Sequence, residues 1–477
     1  MKELDSRVDG VDTYPADRRD LDSYSRAERE VSRLQVPVLL HVDNLHERLY
    51  VAALDGTGNS MFKDAPANWS AVAKIAKQIE VSKPKIVAVG YVEGTFTQDN
   101  PLLRYIDGVS GYTFGRRVET AYDQFCKQAK DWLREDPDAQ IRIIGIGFSR
   151  GSEETAALLR MIEDRGIQDP EEAAYTYFKD GLIKDVEYTR PPLVPPGQTI
   201  QAALLYDPVS TGVKEHDRRL PPTVMSALQI TAEDERRDQF ESTNLIEPGF
   251  TEGNRFLNIT VGGAHSDIGD TYTLNGFGVR SHNLGIDYLN SFSDHPFLAK
   301  RAVPDDPAQT VVHRSDQHSW IYTERGYRDG VRNHHDDLAP DAFCRNDATL
   351  CAEKEPFDPA MDRRLERRGV PIGPLPAART QDIAPVSGKD GAELQADMPR
   401  SETERLFDRL HRAALQGDNR GMHAVGNDYL NSADGQAWRQ DVYDHGRAAQ
   451  AQELQAAWLV QQQQAVEQPH RSHAMRM

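Results

Sequence analysis

Residues 141–154 read Ile-Arg-Ile-Ile-Gly-Ile-Gly-Phe-Ser-Arg-Gly-Ser-Glu-Glu. The apolar run at the start is continuous rather than alternating, the pattern of a strand buried on both faces. It stops at Gly147-Phe148-Ser149-Arg150-Gly151, and a helical pattern opens at Ser152 with two glutamates in its first turn, where acidic side chains suit the positive end of the helix dipole. Strand, sharp turn, helix is the setting in which Gly-x-Ser-x-Gly holds a serine in strained backbone with its hydroxyl clear of the sheet. The glycines two before and two after let neighbouring chain pass where a Cβ would clash. N–H groups at the helix start face the place where an oxyanion would develop. Ser149 is therefore the candidate nucleophile.

Four more runs of the same kind are Arg48–Leu54, Lys85–Val92, Ile200–Tyr206 and Phe256–Val261. Helical spacing fills Trp69–Val81, Arg116–Arg134 and Ser152–Ile162 between them. Strands alternating with helices predict a doubly wound, mostly parallel α/β sheet over residues 36–330. Residues 1–35 read as a charged, partly helical arm. Residues 168–199, with the aromatics Tyr175, Tyr177 and Phe178, and 213–249, long and polar, read as insertions. Residues 331–400 read as a peripheral segment with a linker rich in Pro and Ala, and 401–477 as a helical, Gln-rich appendage.

A serine at its ordinary pKa needs a base and a group to orient that base. Ile200–Tyr206 ends at Asp207, and Phe256–Val261 ends shortly before His265, both just past the carboxyl ends of strands, where open α/β sheets place their sites. His265 would take the serine proton and Asp207 would fix its tautomer. His282, His313 and His318 compete, His318 ranking second. Asp267 and Asp270 lie near His265 without a matching set of metal ligands, so no metal or other cofactor is expected. The loop Asp55-Gly56-Thr57-Gly58-Asn59 follows the first run. Either Gly56 or Thr57 would supply one oxyanion donor and the Arg150 N–H the other, with Asp55 holding the loop. A phosphatase of the haloacid-dehalogenase type needs an aspartate where Ala53 stands, and a P-loop needs a Lys-Ser/Thr that is missing.

The 477 residues carry 56 basic and 75 acidic side chains, a net charge of −19. That argues against nucleic acid as a partner and against docking on anionic membrane by bulk charge. Three cysteines, Cys126, Cys344 and Cys351, make no disulfide scaffold. Cys344 and Cys351 are near enough in sequence to pair, with free thiols the simpler reading. The first twenty residues contain no apolar stretch of the signal-peptide kind, so synthesis in the cytoplasm without an N-terminal signal is expected.

The motifs LDGTGN, GYVEGT, GFSRG, YDPVSTG and GGAHSDIGD, in this order over roughly residues 48–325, resemble those of an α/β-hydrolase family that includes the first class of type VI secretion phospholipase effectors. The chain order Ser149, Asp207, His265 is that of α/β-hydrolases. The resemblance implies a triad of these residues and hydrolysis of carboxylic esters, often of phospholipid acyl chains. It also implies delivery into the envelope of rival bacteria and a cognate immunity protein. Separately, the Gln-rich C-terminal tail resembles in composition the tails that address bacterium-killing effectors to a type IV secretion machine, which makes a secretion-machinery component an expected partner of that region. Pro208 and Asp270 depart from the family pattern, which prefers glycine at the second position. The alternatives are an esterase of small soluble substrates and a binding module on a hydrolase scaffold.

Overall fold

A computed structural model of the chain describes residues 8–82, 84–94, 113–177, 183–211, 213, 216–237, 240–318, 332, 334–335, 338 and 355–375. The linker and helices expected beyond residue 375, Phe178, and the pair Cys344 and Cys351 lie outside the described residues.

All five continuous apolar runs are strands of one sheet. In chain order its strands are β1 (Glu47–Leu54), β2 (Val87–Val92), β3 (Gln140–Phe148), β4 (Ile200–Tyr206), β5 (Val224–Ala232), β6 (Gly249–Phe250) and β7 (Phe256–Val261). The spatial order is β6-β7-β5-β4-β3-β1-β2. Every pairing is parallel except that of β6 with β7. Side chains alternate across the strands, and each face takes its own helices. One core unites Val51, Ile144, Leu204 and Ile230 with α1 (Arg18–Val31), α2 (Ala71–Ser82) and α6 (Gly276–Asn290). The other unites Tyr50, Ile143, Leu205 and Ala227 with α3 (Phe114–Glu135) and α4 (Arg150–Arg165). A short helix, α5 (His265–Ile268), follows β7.

Three stretches differ from expectation. Residues 213–249, read as an insertion, contain β5, whose nine residues are all buried. Its polar side chains hide it in the sequence: Gln229 donates to Thr243 O (2.9 Å) and Thr231 to Asn258 Oδ1 (3.0 Å), so each is satisfied inside the protein. The N-terminal arm is part of the body. Residues Thr13–Pro15 pair antiparallel with Val311–His313, and α1 buries Tyr24, Ala27 and Val31 against the sheet. Residues Arg367–Gly369, placed in the periphery, pair antiparallel with Gln35–Pro37.

Residues Ala174–Tyr177 and Ile183–Glu187 form an antiparallel hairpin. Tyr175 Oη donates to Asp123 on α3 (2.9 Å) and Tyr122 on the same helix donates to Gly166 O (2.8 Å). This places the hairpin by the C-terminal end of α4, about 24 Å of helix from Ser149.

Candidate active site

Ser149 stands between β3 and α4 with φ 58° and ψ −126°, a backbone that a non-glycine residue adopts only when its surroundings dictate it. The flanking glycines are needed for space. A Cβ on Gly147 would come within 2.4 Å of Gly151 O, and one on Gly151 within 2.2 Å of Leu54 O. The Ser149 N–H donates to Tyr206 O (2.9 Å), tying the serine to the last residue of β4. Asp207 is the next residue.

Asp207 is buried, with φ 43°. Its Oδ1 accepts the Ala232 N–H (2.8 Å) from the end of β5, and its Oδ2 accepts His265 Nδ1–H (2.5 Å). Arg332 closes on both oxygens, with Nη2 to Oδ2 at 2.9 Å and Nη1 to Oδ1. Burial pushes the Asp207 carboxyl up, but the Arg332 guanidinium and the His265 hydrogen bond outweigh it and hold the group well below the usual carboxylate range.

His265 opens α5, where Asp267 Oδ2 caps the turn by accepting the Ala264 N–H (2.9 Å). The imidazole stacks on Phe148 (centroids 4.7 Å apart) and meets Phe240 edge-on (5.0 Å). Burial lowers its pKa from 6.5; Asp207 and Glu235 pull it back up and Arg237 pushes it further down. With Nδ1 turned to Asp207, Nε2 is the nitrogen left to receive a proton. His265 therefore sits beside the residue that precedes Ser149. No hydrogen bond joins Ser149 Oγ to His265 Nε2 among the described residues; such contacts often close only around substrate.

Two of the three competing histidines are engaged elsewhere. His313 Nδ1 bonds Asp267 (2.6 Å) and Nε2 bonds Asp9 (3.1 Å). Burial pulls its pKa down, yet the two carboxylates outweigh this and raise it to about 9. Tyr272 stacks on His313 at 3.8 Å and reaches His318 Nε2 (2.8 Å) through its hydroxyl. His282 is buried on α6 with neither ring nitrogen hydrogen-bonded among the described residues. Among the described residues none of the three hydrogen-bonds Asp207. Asp270, also weighed as a metal ligand, has φ 59°, a conformation natural to glycine, and its buried carboxylate meets Lys74 Nζ (2.8 Å) and Arg301. His46, Asp136 and Asp138 bring ligand atoms within 4.8 Å of one another. They lie at the start of β1 and β3, the sheet edge opposite Ser149, and Asp136 already pairs with His46 and Arg48.

In the loop after β1, Asp55 is buried. Its carboxylate accepts the Gly56 N–H (2.7 Å) and the Tyr91 hydroxyl (2.6 Å); burial raises its pKa to about 6, with these hydrogen bonds and one from Ser70 restraining the rise. The Gly56 N–H is thus turned onto Asp55. Arg150 Nε donates to Thr57 Oγ1 (2.7 Å), joining the loop to the start of α4. A Cβ on Gly56 would lie 2.4 Å from the Phe148 ring.

Sequence reasoning missed Arg332 and the wall of Phe148 and Phe240. Arg332 belongs to no motif and is far along the chain, so only the fold could have found it.

These features define an α/β protein with a serine at a strand-to-helix elbow and a histidine–aspartate pair that joins the ends of two strands lying either side of β5. Residues 48–191 match the family model described as "T6SS, Phospholipase effector Tle1-like, catalytic domain", the family that the motifs resemble. The matched stretch contains Ser149 and ends before Asp207 and His265. No curated protein matches the chain. Among solved structures, an uncharacterized protein from Pseudomonas aeruginosa is 16% identical, with a TM-score of 0.34 over 62% of this chain and 52% of its own. The Tle1 effector bound to the VgrG spike from the type 6 secretion system is 18% identical, with a TM-score of 0.30 over 47% of this chain and 51% of its own. The chain spans about half the length of each of these structures.

Proposed function

We propose that this protein hydrolyses carboxylic esters through Ser149, and that its substrate is the acyl ester of a phospholipid. The observation that carries the reading is the 2.5 Å hydrogen bond between His265 Nδ1 and Asp207 beside the strained serine. His265, neutral at pH 7 because burial lowers its pKa, takes the Ser149 proton at Nε2 as Oγ attacks the ester carbonyl. Asp207 stabilises the imidazolium that forms. The Arg150 N–H at the start of α4 and the Thr57 N–H hold the oxyanion, each donor lowering the barrier by about 3 kcal/mol. His265 returns its proton to the leaving alkoxide. It then activates water to release the acyl group from Ser149.

The family match supports a phospholipid substrate and a role as an effector exported into the envelope of a target bacterium. A cognate immunity protein and a component of the secretion machinery are its partners in this reading, the latter engaging residues 401–477. One observation favours small esters instead: the strands Ala174–Tyr177 and Ile183–Glu187 are held on α3 through Tyr175 and Asp123, by the end of α4 remote from the serine.

Liposomes and a short-chain nitrophenyl ester, with products resolved by mass, test both. Ser149→Ala is expected to lower turnover at least ~10⁴-fold. Full residual activity refutes the assignment of this serine, and hydrolysis of the short ester with liposomes left intact selects the small-ester reading.

A further inference from the structure

We propose that Arg332 is a positioning residue of this site: its guanidinium grips both oxygens of Asp207 and so fixes the carboxylate that orients His265. Its consequence for turnover rests on the Ser149 reading; its effect on the His265–Asp207 pair does not.

The geometry is that of a built clamp. Arg332 and Asp207 are both buried, with side chains 4% and 0% exposed. Nη1 also donates to Ala232 O (2.8 Å) and Nη2 to Phe240 O (3.0 Å). One planar group thus ties together the end of β5, the backbone of the residue whose ring abuts His265, and the acid itself. With Ala232 N–H and His265 Nδ1–H added, both carboxylate oxygens have two donors and the group has no freedom to turn. A planar fork meets both oxygens at once, which a lysine ammonium cannot do.

The charge matters as well as the fork. A carboxylate this deeply buried is costly to ionise. The cation, together with the His265 hydrogen bond, lowers that cost, and it offsets part of the pull of the carboxylate on the His265 proton. The charged groups facing His265 are Asp207 and Glu235, which raise its proton affinity, and Arg237, which lowers it; Arg332 acts on the two acids. Removing one cation from such a cluster moves the histidine midpoint up by on the order of one pH unit.

The test follows the His265 Cε1–H resonance through a pH titration of the full chain with labelled histidine, assigned by its loss in His265→Gln. In Arg332→Gln the midpoint is expected to rise by at least about half a pH unit; an unchanged midpoint overturns the proposal. Arg332→Lys keeps the charge and loses the fork. Its midpoint is expected to stay near that of the wild type while kcat on the short ester falls about tenfold, and full activity in this variant overturns the positioning role. The titration needs no turnover, so an inactive wild-type protein would refute the Ser149 reading while leaving the effect of Arg332 measurable.

Discussion

Replacing His313 by glutamine is expected to remove most of a pH-dependent part of the stability. The His313 ring is wholly buried between Asp267 and Asp9, and these carboxylates, against the opposing effect of burial, raise its pKa from 6.5 to about 9. Each pH unit of difference between folded and unfolded chain is worth about 1.4 kcal/mol, so the protonated ring stabilises the fold by on the order of 3 kcal/mol. The sign follows from the direction of the shift. A raised folded-state pKa gives stability that is fully present below about pH 6.5 and is lost as the pH climbs through about 9. For a body of this size the loss corresponds to roughly 5–10 °C in Tm. Calorimetry on wild type and His313→Gln at pH 6 and pH 10 isolates the effect, because other titrating groups are common to both. The Tm gap between the two proteins should be wide at pH 6 and narrow at pH 10. A gap of equal width at both pH values would refute the reasoning.

Two further substitutions probe the walls of the site. Gly56→Ala puts a methyl 2.4 Å from the buried Phe148 ring, which must then shift against His265. Overpacking of this kind costs about 1–3 kcal/mol, and ester hydrolysis should fall at least about tenfold in kcat while KM changes less. Asp270→Ala strands Lys74 and Arg301 without their shared carboxylate and leaves a Cβ at φ 59°. A loss of about 3 kcal/mol is expected from the unpaired cations, and Asp270→Gly, which relieves only the backbone, should melt a few degrees higher than Asp270→Ala.

The readable parts of the fold were those where one physical signal dominated. β1, β2, β3, β4 and β7 are nearly unbroken apolar runs, and Ser149, Asp207 and His265 each stand within a few residues of the end of one. β5 escaped because Ser226, Gln229 and Thr231 make it look like surface, and their satisfaction by distant partners is a tertiary fact. The burial of α1, read only as part of a charged and partly helical arm, escaped for a similar reason: its charges outnumber Tyr24, Ala27 and Val31, whose spacing along one face carries the packing. Asp270 was noticed as standing where the resembling family has glycine, and its positive φ gives that preference a physical reason. The turn of the Gly56 N–H onto Asp55 and the grip of Arg332 depend on side-chain directions that no local pattern encodes.

The pairing of Arg367–Gly369 with Gln35–Pro37 bears on how this protein is trimmed for study. A version cut at residue 330, where the alternating pattern of strands and helices runs out, would retain hydroxyl, imidazole and carboxylate. It would also leave the edge at Gln35–Pro37 bare and strip the acid of its guanidinium. Inactivity of such a shortened protein would then report on the missing downstream chain and say nothing against the serine.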